Sequence, residues 1–171
     1  MNVQEAIRTK RAIRHFTDQP LPDEVVATIL HAGRLAQSSK NLQERMFIAI
    51  RDRATLEAVG KTGTWAGHLA GAALGVAILT PDPVTKFQTL FDAGQSAAYM
   101  QLAAWELGVG SCLASIYEED QARAILGYPN DWYLRIALSF GYPTTESIAP
   151  RPPRPDGRKA LDEVVRWDRW E

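Results

Sequence analysis

The chain has 171 residues, 46% hydrophobic and 23% charged, which suits one domain with its own core and is too little for two. A formal net charge of −1 supplies no overall attraction to nucleic acid or to an anionic membrane, and no apolar run approaches the roughly 20 residues of a membrane span. The single cysteine, Cys112, excludes an internal disulfide framework and a cysteine-built metal site.

Taken in chain order, Val3, Ala6 and Ile7 behind Asn2 predict a short helix to about Lys10. Asp23-Glu24 opens an amphipathic helix through Val25, Val26, Ile29, Leu30 and Leu35, with its acids in the first turn where the helix dipole favours them. Residues 37–41 form a polar loop, and 46–50 are short, apolar and strand-like. Asp52 can cap a small helix over 54–59 that ends at Gly60, and 61–67 read as loop. A buried strand over 72–79 is stopped by Pro81 and Pro83. From 86 to 107 runs a long helix, apolar almost all round and rich in small residues, which belongs either in a core or between subunits; Gly108 ends it. A strand over 109–113, a helix over 118–126 stopped by Gly127, and a strand over 134–140 follow. The Pro/Arg tract 151–155 can be neither helix nor central strand and should lie extended. Leu161, Val164, Val165, Trp167 and Trp170 make an apolar chain end that must dock on something, a second subunit being the natural surface. The N-terminus, Met1-Asn2-Val3-Gln4-Glu5, has no basic or apolar leader region, so a cytoplasmic protein is expected.

Charge is balanced but unevenly placed. Arg8, Lys10, Arg11 and Arg14 fall within seven residues near the start, and Arg151, Arg154, Arg158 and Lys159 within nine near the end. Two such clusters can converge on one compact anion. The three histidines, His15, His31 and His68, make no metal-ligand spacing; there is no Walker A motif, no nucleophile elbow and no dinucleotide-binding glycine pattern in its strand-to-helix context. Anion handles beside so few acids, bases and nucleophiles suggest that a bound cofactor supplies the chemistry.

Lys10-Arg11-Ala12-Ile13-Arg14-His15-Phe16 resembles the Arg-Arg-Ser-x-Arg-x-Phe signature that opens the nitroreductase family. The order of later segments is similar too: Ala36 to Gln43, the long Ala-rich helix, Leu107 to Cys112, Gly141-Tyr142-Pro143, and Arg158 to Val165. The resemblance covers nearly the whole chain. It implies an α+β fold, with a central, mostly antiparallel sheet flanked by helices, in an intertwined homodimer with an exchanged C-terminal arm. Residues 1–171 would be one domain and 151–171 the arm. It further implies two FMN sites at the dimer interface, with NADH or NADPH as donor and a small acceptor such as a nitroaromatic or quinone reduced in ping-pong fashion. Carried over by position, Lys10, Arg11, Ala12 and Arg14 would line the phosphate, ribityl chain and pyrimidine edge. Ser38, Ser39 and Asn41 would reach the ring from the other subunit, Ser115 and Ile116 would offer backbone groups near flavin N5, and Arg158 with Lys159 would close on the phosphate. Neither a metal, nor a nucleic acid, nor a membrane is part of this expectation.

The chain departs from the family pattern at Ala12, where a serine is usual, at Gln37, at Glu44-Arg45 in place of Pro-Trp, and at Ser115-Ile116 in place of a Gly-Gly-like step. The stretch between Leu79 and the long helix is also short. These departures leave other readings open: a flavin-binding protein without turnover, a reductase dedicated to one metabolite, or a scaffold whose Arg/Pro arm meets an acidic partner. Cys112 reads as a small buried hydrophobe, and His68 and Trp65 as packing residues or polar flavin contacts.

Overall fold

The computed structural model describes residues 1–149 and 157–170. The helices are α1 (Val3–Thr9), α2 (Asp23–Leu35), α3 (Arg53–Gly60), α4 (Gln88–Glu106), α5 (Glu119–Leu126), α6 (Thr145–Ile148) and α7 (Leu161–Val164), and the strands are β1 (Met46–Ile50), β2 (Leu74–Thr80), β3 (Gly110–Ser115) and β4 (Tyr133–Gly141). Single 3₁₀ turns lie at Ser39–Asn41 and Gly67–Leu69. The Pro/Arg tract 151–155 lies outside the described residues.

Local chemistry sets most boundaries. The Asn2 side chain accepts the Glu5 N–H at 2.9 Å, and the Asp52 carboxylate accepts the Thr55 N–H at 2.8 Å. Gly108 and Gly127 stop α4 and α5 at φ of 74° and 69°, where a side chain would be strained. The one-turn helices α6 and α7 escape the sequence reading because four residues carry no periodicity. Thr144 caps α6 through its hydroxyl, and Glu163 reaches back to the Ala160 N–H at 2.8 Å to open α7.

The four strands pair antiparallel throughout in the order β1-β2-β4-β3, with a bulge at Arg135 where β4 carries one residue more than β2. Every residue of β2 is buried, which explains its continuous apolar run in place of alternation. Leu74, Val76 and Ile78 enter a core with Val26, Ile29, Ala97 and Met100 of α2 and α4; Ala77 and Leu79 enter a second core, with Leu56, Val59 and Ala122 of α3 and α5. The sheet is therefore sandwiched between helices on both faces, the α+β arrangement the resemblance implies.

Helix α4 is less uniformly buried than its sequence suggests. Ala93, Ala97, Met100 and Ala104 face the core, while Phe87 just before it and Leu90, Phe91 and Tyr99 within it are exposed. A Cβ on Gly94 would meet nothing within 4 Å. Within one chain the helix is thus half covered, and its outer face is free to meet another surface.

Candidate functional site

The segment Lys10–Arg14 runs along the open edge of β3. Ala12 bridges Ser111 in parallel, and the Ile13 N–H donates to the Ser111 carbonyl at 2.9 Å. Ile13 is buried, so extended-chain alternation turns Ala12 and Arg14 away from the core. Arg14 lines an open cleft of about 700 Å³ together with His15, Thr64, Trp65, Gly67, His68 and Gly71.

Lys10 ends α1 and is half-buried. Burial pushes its pKa down, the Arg158 charge adds to that, and Cys112 opposes it. Arg158 from the chain end is therefore close enough to Lys10 for their charges to interact. Of the C-terminal cluster, Arg151 and Arg154 lie outside the described residues. Among the described residues neither Lys10, Arg14 nor Arg158 forms an ion pair with a carboxylate. Lys159 is exposed, and no contact ties it to this group.

Arg11 goes elsewhere. Its guanidinium donates to the carbonyls of Ile148 and Ala149 at the end of α6, where a helix C-terminus attracts a cation. Arg11, just past α1, thus ties its segment to the end of α6.

The loop 61–68 brings in His68. The Thr62 carbonyl accepts N–H groups from both Tyr117 and Glu118, at 2.9 and 3.0 Å, and a Cβ on Gly63 would lie 2.1 Å from the Ser115 carbonyl oxygen. Only glycine allows this close approach. His68 Nδ1 pairs with Ser139 Oγ at 2.7 Å, while its Nε2 is buried and makes no hydrogen bond. Burial and the nearby Arg14 hold the imidazole below its ordinary pKa, against a smaller upward pull from the Leu113 carbonyl. His68 is thus held toward its neutral form beside Arg14, with both lining the same cleft. The His68–Ser139 pair was not legible in the sequence, since 71 residues separate its members.

The sign of the His68 shift gives a stability expectation. Above its unfolded value of 6.5 both states are neutral; as pH falls below 6.5 the unfolded chain takes up a proton that the folded chain resists, and stability declines until the lower folded value is passed. His68→Gln is expected to flatten that acid limb in urea unfolding between about pH 5 and 7, where protonation of the unfolded histidine falls. An unchanged slope assigns the limb to other groups.

Cys112 is buried 2% exposed, and burial pushes its thiol pKa up, so it is an inert small hydrophobe as expected.

Ser115 and Ile116 divide in role. The Ile116 N–H donates to the Arg135 carbonyl at 3.0 Å, so of the pair expected near N5 it is Ser115 whose N–H is left for a ligand. Antiparallel ladders alternate, so the neighbouring residues Ser115 and Leu113 turn their peptide groups to the open edge of β3, the same edge Ser111 offers to Ile13. Ser115 is exposed there.

The Ser38–Asn41 turn stands apart from this cluster. It precedes β1, the strand at the opposite edge of the sheet from the Lys10–Arg14 segment. Four inter-strand spacings of about 4.8 Å put the two near 20 Å apart. Ser38 Oγ accepts the Gln43 N–H at 2.9 Å and Asn41 Oδ1 accepts from Gln43 Nε2 at 3.3 Å, while Lys40, Asn41 and Gln43 adopt left-handed backbone at φ of 50°, 55° and 55°. Three such non-glycine residues in four positions store strain of a kind found at functional sites.

Comparison with known proteins places this architecture. The profile of the nitroreductase family matches residues 7–62 and 62–142. A protein of Archaeoglobus fulgidus, assigned as an NADH dehydrogenase/NAD(P)H nitroreductase, is 30% identical over 147 residues, 82% of this chain and 84% of its own. The NADPH-flavin oxidoreductase of Vibrio harveyi is 27% identical over 89% of this chain and 70% of its own length. The structure of an FMN-dependent nitroreductase from Clostridium difficile superposes with a TM-score of 0.82 at 25% identity, covering 98% of this chain and all of that one. With the family profile spanning all but the chain's two ends, and the fold matching as well, the chain belongs to the nitroreductase family.

Proposed function

We propose that the protein is an FMN-dependent NAD(P)H oxidoreductase, working as a homodimer that reduces a small acceptor such as a nitroaromatic or quinone. The observation that carries this reading is the convergence of Lys10 and Arg158, from the two ends of the chain, with Arg14 nearby at the mouth of the cleft. Two cations without acidic partners suit a phosphate dianion, which arginine holds through a bidentate fork.

Held by Lys10, Arg14 and Arg158, bound FMN would supply the redox chemistry between the nicotinamide donor and the acceptor, which are expected to use the site in turn. The chain's own residues hold and orient. Arg14 would supply fixed positive charge toward the cofactor's pyrimidine edge, favouring anionic states there by preorganised electrostatics. His68, in the lining of the cleft, would offer one polar contact, and the outward N–H of Ser115 another. Trp65, 81% exposed at the cleft, is placed to shield its mouth. Ser38, Ser39 and Asn41 would serve the partner's site, because in one chain they lie at the far edge of the sheet; this separation is the support for a site built from two subunits. The exposed apolar face of α4 and the apolar chain end support the dimer, with 151–171 as an arm of the single domain. The reading places the protein in the cytoplasm, where NAD(P)H is available; no helix among the described residues is long and apolar enough to cross a membrane.

The purified protein is expected to be yellow, or to become so on adding FMN, and its flavin band to bleach on anaerobic mixing with NADH or NADPH. A colourless protein that takes up no FMN overturns the reading. Bound flavin that neither donor bleaches makes it a flavin-binding protein without turnover.

A further inference from the structure

The strained Ser39–Asn41 turn is held from behind by charges that the chain buries. Asp92, in the second turn of α4, is 6% exposed, and both its carboxylate oxygens accept the Ser39 N–H, at 3.2 and 3.1 Å. Arg45, at the other end of the loop, is 8% exposed, and its guanidinium donates to the carbonyls of Arg34, at 3.1 Å, and of Ala36, where α2 ends. The Arg45 charge is felt against that of Asp92, and burial is the larger influence on it. Burying two charged groups is costly unless both are well bonded, yet one guanidinium nitrogen of Arg45 makes no hydrogen bond. Packing alone would be served better by apolar residues. What the two groups do fix is the loop between them. The clamp's bonds reach only backbone: Asn41 is exposed, its side chain meeting only Gln43, and Ser39 Oγ makes no hydrogen bond among the described residues. Lys86, two residues before α4, adds a 2.6 Å ion pair to Glu44 at the foot of the same loop.

We propose that Arg45 and Asp92 form a clamp that holds the Ser39–Asn41 turn in its left-handed shape and presents it to the partner subunit's cofactor site. This rests on the two-subunit FMN site proposed above. Both are positioning residues: they touch the turn and the end of α2, and the turn touches the ligand. Arg45 stands where the family pattern has tryptophan, so the clamp belongs to this chain's own sequence. Rigid support of this kind keeps a site within the fraction of an ångström that ligand recognition needs.

The test uses full-length dimers. Asp92→Ala is expected to weaken FMN binding at least tenfold, and Asp92→Asn, which keeps an oxygen for the Ser39 N–H, to restore much of the loss. The decisive measurement is complementation. Chains carrying Asp92→Ala and chains carrying Arg14→Ala, each with its own affinity tag, are co-expressed, and mixed dimers are isolated on both tags. If the clamp acts in trans, each mixed dimer holds one site with its own Arg14 and its partner's Asp92, and it recovers wild-type FMN affinity at one site of two. If Asp92 acts on its own chain's site, or merely supports the fold, neither site is whole and no tight binding returns. Recovery supports the clamp; its absence, or an Asp92→Ala dimer that binds FMN like wild type, overturns it. Should Asp92→Ala fail to fold, Arg45→Met, similar in volume, takes its place in the mixed dimers, and failure of both to fold makes the pair plain stability elements and overturns the proposal. Wild-type protein that binds no FMN strikes the functional reading instead.

Discussion

Lys10→Ala combined with Arg14→Ala is expected to lower FMN affinity by about a hundredfold or more, without unfolding the chain. Each cation stands ready for a charge-assisted hydrogen bond, worth about 1.5–3 kcal/mol when an ionised group is involved. Arg14 is exposed, so solvent screening discounts its share, and about 2.7 kcal/mol in total, a hundredfold, is a conservative sum. The apo protein should respond in the opposite sense. Burial and Arg158 both act against the charged form of Lys10, so its folded pKa lies below the unfolded value of 10.5. At neutral pH, below both values, the charged Lys10 is a cost the fold carries, and removing it leaves apo stability unchanged or raises it. The signature is thus a variant whose melting temperature without ligand is at least that of wild type, and which shows no further rise on adding FMN. Wild-type affinity should also fall with added salt, and the variant's much less. An apo form that melts early while FMN binding stays intact would return both residues to a structural role.

The parts of this architecture that show in the sequence are those whose cause is local. Asn2 and Asp52 cap the helices they precede, Gly108 and Gly127 stop the helices they follow, and β2 is a run of apolar residues cut off by Pro81. The cationic segment is visible for the same reason, since Lys10 and Arg14 are near neighbours in sequence. The rest depends on contacts at long range. His68 reads as one of three scattered histidines until Ser139, a lone hydroxyl in a buried strand, is found opposite it. The left-handed backbone at Lys40, Asn41 and Gln43 has no glycine to announce it, and the Asp92 carboxylate that bonds the Ser39 N–H comes from another helix, 53 residues away. Arg11 looks like its neighbours in the motif, yet a one-turn helix without periodicity supplies the carbonyls that capture it. Ile116 and Ser115 are adjacent and would seem interchangeable as backbone donors. Which of them faces outward is decided by the register of β3 on β4, and no composition encodes that.

In the proposed dimer, alanine at both Trp167 and Trp170 is expected to leave monomers at concentrations where wild type stays associated, raising the dissociation constant by about a hundredfold. Leu161, Val164, Trp167 and Trp170 recur every third residue and are 73%, 60%, 81% and 88% exposed on their own chain. The tail is locally ordered, with α7 capped by Glu163 and the Arg166 guanidinium on the Asp162 carbonyl at 2.6 Å, but little of its apolar surface is covered. Burying each of these groups is worth roughly 1.5–3 kcal/mol, so two tryptophans supply some 3–6 kcal/mol before the entropy of fixing the arm is subtracted. Arg158 lies at the root of this tail, near enough for its charge to act on Lys10, so on the proposed reading docking of the tail should order the anion site as well. The variant keeps Arg158, and its FMN site is lost only through dissociation. Cofactor binding should therefore weaken at low protein concentration and recover as the protein is concentrated, because assembly and ligand are linked by mass action. Sedimentation velocity across that range, with and without FMN, reads both effects. A dimer constant equal to wild type would show that the tryptophans dock elsewhere, and FMN affinity independent of protein concentration would show that one chain suffices for the site.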